Sequence, residues 1–332
     1  MRHFLTLILM LLSNLAIAYD MSKKIDFDIS MGIANKPTYD FMFRHSKSAE
    51  YYHTFRKLYN SNYHRQSAQE PRIPKIIHQI WLGGELPRFF NNYIETCKQV
   101  NPGWEYKFWT EKDLDKLSYN KDVVYALKGR LDVTKDYLMH VILDQFGGVF
   151  MDVDYACFKP FEQLNYQYDA WFAIEPSGWW KKIPTISYSI IAAKANYPVI
   201  QKTLKDIEQY SLDKDFRIRH NKEYTHRSVK ADIIFSSVQM FEGININEYC
   251  KHNSCDNVMI FPATYFLPRV HVGWMVDNMK KFSLLDTLKM HFGLAEHAVI
   301  YDEIKPETIA MNDFNAKAKI NPLYYKEKSS NY

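Results

Sequence analysis

The chain has 332 residues, 47% of them hydrophobic and 16% aromatic, which is enough for one large core. Charged residues make up 24% with a net charge of +4. That balance is too mild to point to nucleic acid, and no basic run interleaved with aromatics stands out.

Residues 1–18, "MRHFLTLILMLLSNLAIA", have the layout of a secretory signal peptide: Arg2, an apolar run from Phe4 to Leu12, then Ala16 and Ala18 in an A-x-A pattern. The apolar run is short of the roughly 20 residues a membrane span needs. A secreted or extracytoplasmic protein is expected, with membrane attachment only if this segment stays uncleaved. Residues 19–72 are polar and rich in aromatics, and are expected to form a helical stem packed on the main domain. That domain is placed at 73–310, with a tail at 311–332.

"RIPKIIHQIWLGG" predicts a buried strand stopped by Gly83 and Gly84. Leu86–Val100 predicts a helix, Trp104–Thr110 a strand and Glu111–Leu117 a short helix. Leu138, Val141, Ile142 and Phe146 recur at helical spacing and predict a helix over Val133–Phe146, capped by Gly147 and Gly148. Val149–Val153, "AWFAIE" and "SYSIIAAK" predict further strands, and "YPVIQKTLKDIEQYS" a helix. Asp213–Asp232 is dense in charge with a basic excess, and is expected to be a solvated insertion. Strands alternating with helices predict an α/β fold with a mainly parallel central sheet flanked by helices. Cys250 and Cys255 are close enough for a small disulfide loop. Cys97 and Cys157 cannot be paired from the sequence, and none of the four cysteines has zinc spacing.

The chemistry concentrates in "QFGGVFMDVD". Ligands of such sheets bind beyond the carboxyl ends of the strands, where Asp152 and Asp154 fall. In an extended chain, side chains two residues apart point to one side, so the pair is expected to converge on one ligand. Two adjacent carboxylates repel and call for a cation between them. Mn²⁺ or Mg²⁺ takes such oxygen ligands and keeps positions open for phosphate oxygens.

The segment "LDVTKDYLMHVILDQFGGVFMDVD" resembles the core motif of the DXD-containing glycosyltransferases of the family 32 type, relatives of the yeast initiating Golgi mannosyltransferase and, more distantly, of the clostridial glucosylating toxins. "IPKIIHQIWLGGELP" is similar to the first strand of the same group, and "SIIAAKANYPVIQKTL" to a weaker third block. The resemblance implies a GT-A-type nucleotide-diphospho-sugar fold and a metal-dependent hexosyltransferase, with a nucleotide-sugar donor and a glycan, protein or lipid acceptor.

It further implies that Trp81 contacts the donor base, with the backbone at Ile80 reading the base edge. By the same resemblance, Asp136 binds hydroxyls of the donor sugar, Asp152 lies near ribose and metal, and Asp154 is the direct metal ligand. Two positions depart from the family pattern. Met139 stands where an arginine is usual, leaving its task to His140 or to a basic residue elsewhere, and Lys135 stands where a small hydroxyl residue is common. "KMHFGLAEHAV" is similar to the closing histidine block. It implies His291, Glu296 or His297 as late metal ligands, with His271 a weaker option. A UDP-sugar donor and retention of configuration are the expectation. The alternatives are a GDP-mannose enzyme held in a Golgi lumen by its N-terminus, and a non-catalytic sugar- or metal-binding module.

Overall fold

The structure is a computed structural model, and it describes residues 24–31, 46–175, 184–224, 238–267 and 305–312. The signal-like residues 1–18 lie outside them. Among the described residues, no helix is long and apolar enough to cross a membrane.

The elements run α1 (Phe27–Ser30), α2 (Ser46–Asn62), β1 (Ile76–Ile80), α3 (Phe90–Val100), β2 (Glu105–Trp109), a 3₁₀ turn (Glu111–Lys116), α4 (Lys121–Ala126), α5 (Leu131–Phe146) and β3 (Gly148–Met151). They continue with β4 (Tyr155–Cys157), α6 (Glu162–Gln167), β5 (Ala170–Ile174), β6 (Ile186–Ala193), α7 (Pro198–Leu212), α8 (Lys214–Tyr224), α9 (Phe241–His252), β7 (Val258–Phe261) and β8 (Ala310–Asn312).

Six strands form one sheet in the order β2-β1-β3-β6-β5-β7. β1 is parallel to β2 and β3, and β5 is parallel to β7, while β6 runs against both its neighbours. The expected α/β fold with a mainly parallel sheet is therefore present, with β6 as the reversed strand. Every residue of β3, β5 and β7 is buried, as continuous apolar runs in a covered sheet require. β4 and β8 form a separate antiparallel pair.

α5 lies on β1, β3 and β6 and is covered from outside by α7, with α9 beyond. A helix enclosed on both sides needs apolar residues nearly all round, and Val133, Thr134 and the run from Asp136 to Leu143 are all buried. Tyr52, Phe55, Tyr59 and Tyr63 of α2 and its exit share the core of the sheet. The charge-rich stretch is not wholly a solvated insertion: residues 214–224 form α8, and its His220 is buried against Phe241 at a ring separation of 4.4 Å.

The Gly147-Gly148 pair does two different jobs. Gly147 caps α5, its N–H donating to Leu143 O at 2.9 Å, whereas Gly148 already belongs to β3. Both have positive φ, 62° and 103°. A Cβ on Gly147 would lie 2.6 Å from the backbone of Ala195, and one on Gly148 2.7 Å from Ile76 O. The sharp turn and the close approach both demand glycine.

Both cysteine pairs are closed. Cys250–Cys255 is the expected small loop, and Cys97–Cys157 ties α3 to β4 across 60 residues.

Candidate active site

The site lies where β1 and β3 part. β1 pairs with β3 only through Ile77 and His78, so beyond these residues the strand ends are open to each other. Gln79 spans the gap, its Nε2 donating to Asp152 O at 3.0 Å. Its Oε1 accepts from the Tyr106 hydroxyl. From the other side Asp152 N donates to Ser189 O of β6 at 2.8 Å. The backbone of Asp152 is thus clamped between two strands at the carboxyl end of the sheet.

The D-x-D pair does not sit on an extended strand. β3 ends at Met151, and residues 152–155 turn into β4, with Tyr155 N donating to Asp152 O at 3.4 Å. The same-side geometry expected from extended spacing is therefore replaced by a turn. Val153 points into a small apolar cluster with Phe90, against which Trp81 and Tyr93 pack. The two carboxylates take different partners. Asp152 Oδ1 accepts from Lys135 Nζ at 2.7 Å, and Asp154 Oδ1 accepts from Asn312 Nδ2 at 2.8 Å. Both aspartates are buried.

Asp136 is brought to this pair through Lys135, whose Nζ lies 3.1 Å from Asp136 Oδ1. That contact is an ion pair rather than an aligned hydrogen bond, and neither Asp136 oxygen has a hydrogen-bond partner among the described residues. Burial pushes the Asp136 carboxyl up to about 6; Lys135 opposes the rise and the Asp152 charge adds to it. For Lys135, burial works against the charged form, but the carboxylates of Asp136 and Asp152 outweigh it and the pKa is raised.

Trp81 is partly buried, its ring 5.5 Å from that of Phe90. Its Nε1 is buried without a hydrogen-bond partner among the described residues. Ile80 is buried at the end of β1, opposite Trp109 of β2. Trp81 thus packs beside Val153 of the D-x-D turn.

Two expectations on α5 are corrected. Met139 is wholly buried in the core, so it replaces no donor-facing group. His140 is equally buried and both its nitrogens are engaged internally, Nδ1 with Asp136 O at 2.7 Å and Nε2 with Glu242 Oε2 at 2.8 Å. Its ring fastens α5 to α9 and has no nitrogen left for a ligand. His291, Glu296, His297 and His271 lie outside the described residues.

The sequence reading missed Asn312, Gln79 and the role of Lys135. Only Lys135 had left a signal, as a departure from the family pattern beside Asp136.

Among the described residues no three His, Cys, Asp or Glu side chains gather into a metal cluster. The donor chemistry nonetheless suits a hard cation. Asp152 and Asp154 supply carboxylate oxygens, and Asn312 Oδ1 is a buried amide oxygen without a hydrogen-bond partner among the described residues.

The sequence of residues 87–171 matches the family described as glycosyltransferase sugar-binding region containing DXD motif. This part of the chain is similar to a DXD glycosyltransferase region. It holds Asp136, Lys135 and the D-x-D turn, but neither Trp81 nor Asn312. Two relatives from Schizosaccharomyces pombe carry the match further. Inositol phosphoceramide mannosyltransferase 3 is 24% identical over 165 residues, covering 47% of this chain and 43% of the relative. Inositol phosphoceramide mannosyltransferase 1 is 25% identical over 208 residues, covering 59% and 57%. The chain spans about half the length of these curated relatives. The expected likeness to yeast mannosyltransferases is thus found. Among solved structures, the PaToxG glycosyltransferase aligns over 89% of this chain and 98% of its own, at 14% identity and a TM-score of 0.41.

Proposed function

We propose that the protein is a metal-assisted glycosyltransferase that moves a hexose or N-acetylhexosamine from a nucleotide-diphospho-sugar to a hydroxyl of a glycan, protein or lipid. A UDP-sugar is the favoured donor, and the configuration is retained. The observation that carries this reading is the D-x-D turn at the open ends of β1 and β3, flanked by Trp81 on one side and by Lys135 with Asp136 on the other.

In this reading the indole of Trp81 holds the base, and the backbone at Ile80 borders it. Asp154, with Asn312 beside it, and Asp152 would hold Mn²⁺ or Mg²⁺. Such an ion supplies stabilisation of charge on the leaving nucleoside diphosphate. Lys135 offsets the charge of Asp136 and Asp152, so the carboxylates do not repel one another as ligands approach. Gln79 and Ser189 fix the backbone of Asp152, which keeps the turn in place without reorganisation. Two disulfides among the described residues support an oxidising, extracytoplasmic compartment.

The names of the yeast relatives favour a second reading, transfer of mannose to an inositol phosphoceramide-like lipid, for which GDP-mannose is the donor to test. Incubating the full chain with Mn²⁺, a panel of UDP- and GDP-sugars and lipid or glycan acceptors, followed by mass spectrometry, separates the two. Donor consumption that is lost on chelation and in Asp154→Ala is expected. A chain that binds nucleotide sugar yet never releases a nucleoside diphosphate would be a binding module, and the transferase reading would fall.

A further inference from the structure

Lys135 stands where a ligand would meet α5. Its side chain is 21% exposed, against 1% for Asp136 and 8% for Asp152. Both carboxylate oxygens of Asp136 are closed off from solvent, so of the three side chains Lys135 has the most surface left for a ligand. The Lys135 ammonium lies over Phe150, 5.8 Å from the ring centroid.

An ammonium has three N–H donors and no acceptor. Asp152 Oδ1 accepts from the head at 2.7 Å and Asp136 Oδ1 lies 3.1 Å from it, so one of the three donors is left for an oxygen from outside. With the diphosphate taken by the cation that Asp152 and Asp154 would hold, the part of the donor left to meet α5 is the sugar, and the oxygen it offers is a hydroxyl.

We infer that the donor-facing group of α5 is the Lys135 ammonium, which hydrogen-bonds a hydroxyl of the transferred sugar, with Asp136 acting through it as a positioning residue. This rests on the glycosyltransferase reading above. It reverses the expected division of labour, in which Asp136 itself touches the sugar. It also makes Lys135 a determinant of which sugar is accepted, because a flexible point donor selects a hydroxyl position by reach.

Calorimetry on the full chain with Mn²⁺ tests this, using UDP, UDP-glucose, GDP and GDP-mannose as probes. Lys135→Met keeps a stem of similar length and removes the ammonium. It should bind the nucleoside diphosphate within about twofold of wild type but the matching nucleotide sugar about tenfold or more weakly, the usual effect of losing a charged hydrogen bond. Asp136→Asn, which slackens the ammonium without emptying its place, should show the same selective loss to a smaller degree. If Lys135→Met does not fold, Lys135→Arg keeps the charge but carries a planar fork. Its ratio of nucleotide-sugar to nucleoside-diphosphate affinity should then fall while the melting temperature holds.

Equal losses for diphosphate and sugar would assign Lys135 to the phosphates and overturn the inference. An unchanged ratio in every folded variant would show that Lys135 touches no donor. A wild-type chain that binds none of the four probes removes the glycosyltransferase reading and this assignment with it, whereas wild-type binding with unaffected variants removes the assignment alone.

Discussion

Replacing His78 by glutamine should flatten the acid side of the stability curve. His78 is buried in β1, and its two ring nitrogens are given opposite roles by their neighbours. Trp109 Nε1, which can only donate, meets Nδ1 at 3.1 Å; Gly147 O, which can only accept, meets Nε2 at 2.9 Å. The neutral ring with its proton on Nε2 satisfies both. A second proton on Nδ1 would face an N–H and would have to be carried in a dry interior. Burial accordingly pulls the His78 pKa down from 6.5 to about 4; the Gly147 carbonyl resists this and Lys107 adds to it. The unfolded chain therefore binds more protons than the folded one between those values. The contribution is complete above pH 6.5 and is lost as the pH falls toward 4, to a total of about 3 kcal/mol. Urea unfolding at several pH values between 7 and 4 measures it, and the difference between wild type and His78→Gln isolates it from the carboxylates that titrate nearby. Glutamine offers one acceptor and one donor and does not titrate. Parallel pH curves for the two proteins would show that the ring is not held neutral, and the reasoning would fail.

Trp81→Ala should weaken nucleotide binding by about 1–3 kcal/mol if the indole stacks on the base, with only a modest drop in melting temperature; the reverse pattern would make it a core residue. Asn312→Ala should raise the Mn²⁺ concentration needed for donor turnover several-fold and leave metal-free nucleotide binding unchanged; an unaltered metal titration would remove Asn312 from the ion's surroundings. Gly147→Ala should destabilise the fold by more than the about 1–3 kcal/mol of backbone strain, because its Cβ would also meet Ala195 N at 2.6 Å; urea unfolding reads this, and a neutral effect would contradict the φ of 62°. Breaking Cys97–Cys157 by a double change to alanine should cost about 4 kcal/mol, since it closes a 60-residue loop; a loss under about 1 kcal/mol would mean that the unfolded chain gains little freedom from it.

What could be read from the sequence was local. The isoleucine run of β1, the Gly-Gly stop and the apolar run before Asp152 each declare themselves through neighbouring residues. The D-x-D residues were legible for the same reason, although the turn that carries them was not, because β-branched Val153 reads as a continuation of the strand. Residues three and four apart share a helix face, as Asp136, Met139 and His140 do, but spacing selects a solvent- or ligand-facing side only when a helix is half covered. α5 is covered by the sheet and by α7, so Met139 and His140 went to the interior. Cys97–Cys157 and Asn312–Asp154 join residues far apart in the chain, and no local pattern specifies such pairings.

These long-range joints bear unequally on the two carboxylates. Asp154 lies at the start of β4, which is fastened to α3 by Cys97–Cys157 and by Cys157 N donating to Thr96 Oγ1 at 3.0 Å. On its other edge β4 pairs with β8, where Tyr155 faces Asn312, whose amide holds the Asp154 carboxylate. The Asp152 side chain is met by Lys135, a partner on a flexible stem. One carboxylate is therefore fixed by covalent and sheet contacts, and the other is paired with a group able to move. A rigid oxygen suits a cation, which needs ligands at set distances. A movable ammonium suits a substituent whose position differs from one donor sugar to the next. Under the proposed function, this difference in what holds each group supports giving the metal to the aspartates of the turn and the sugar to Lys135.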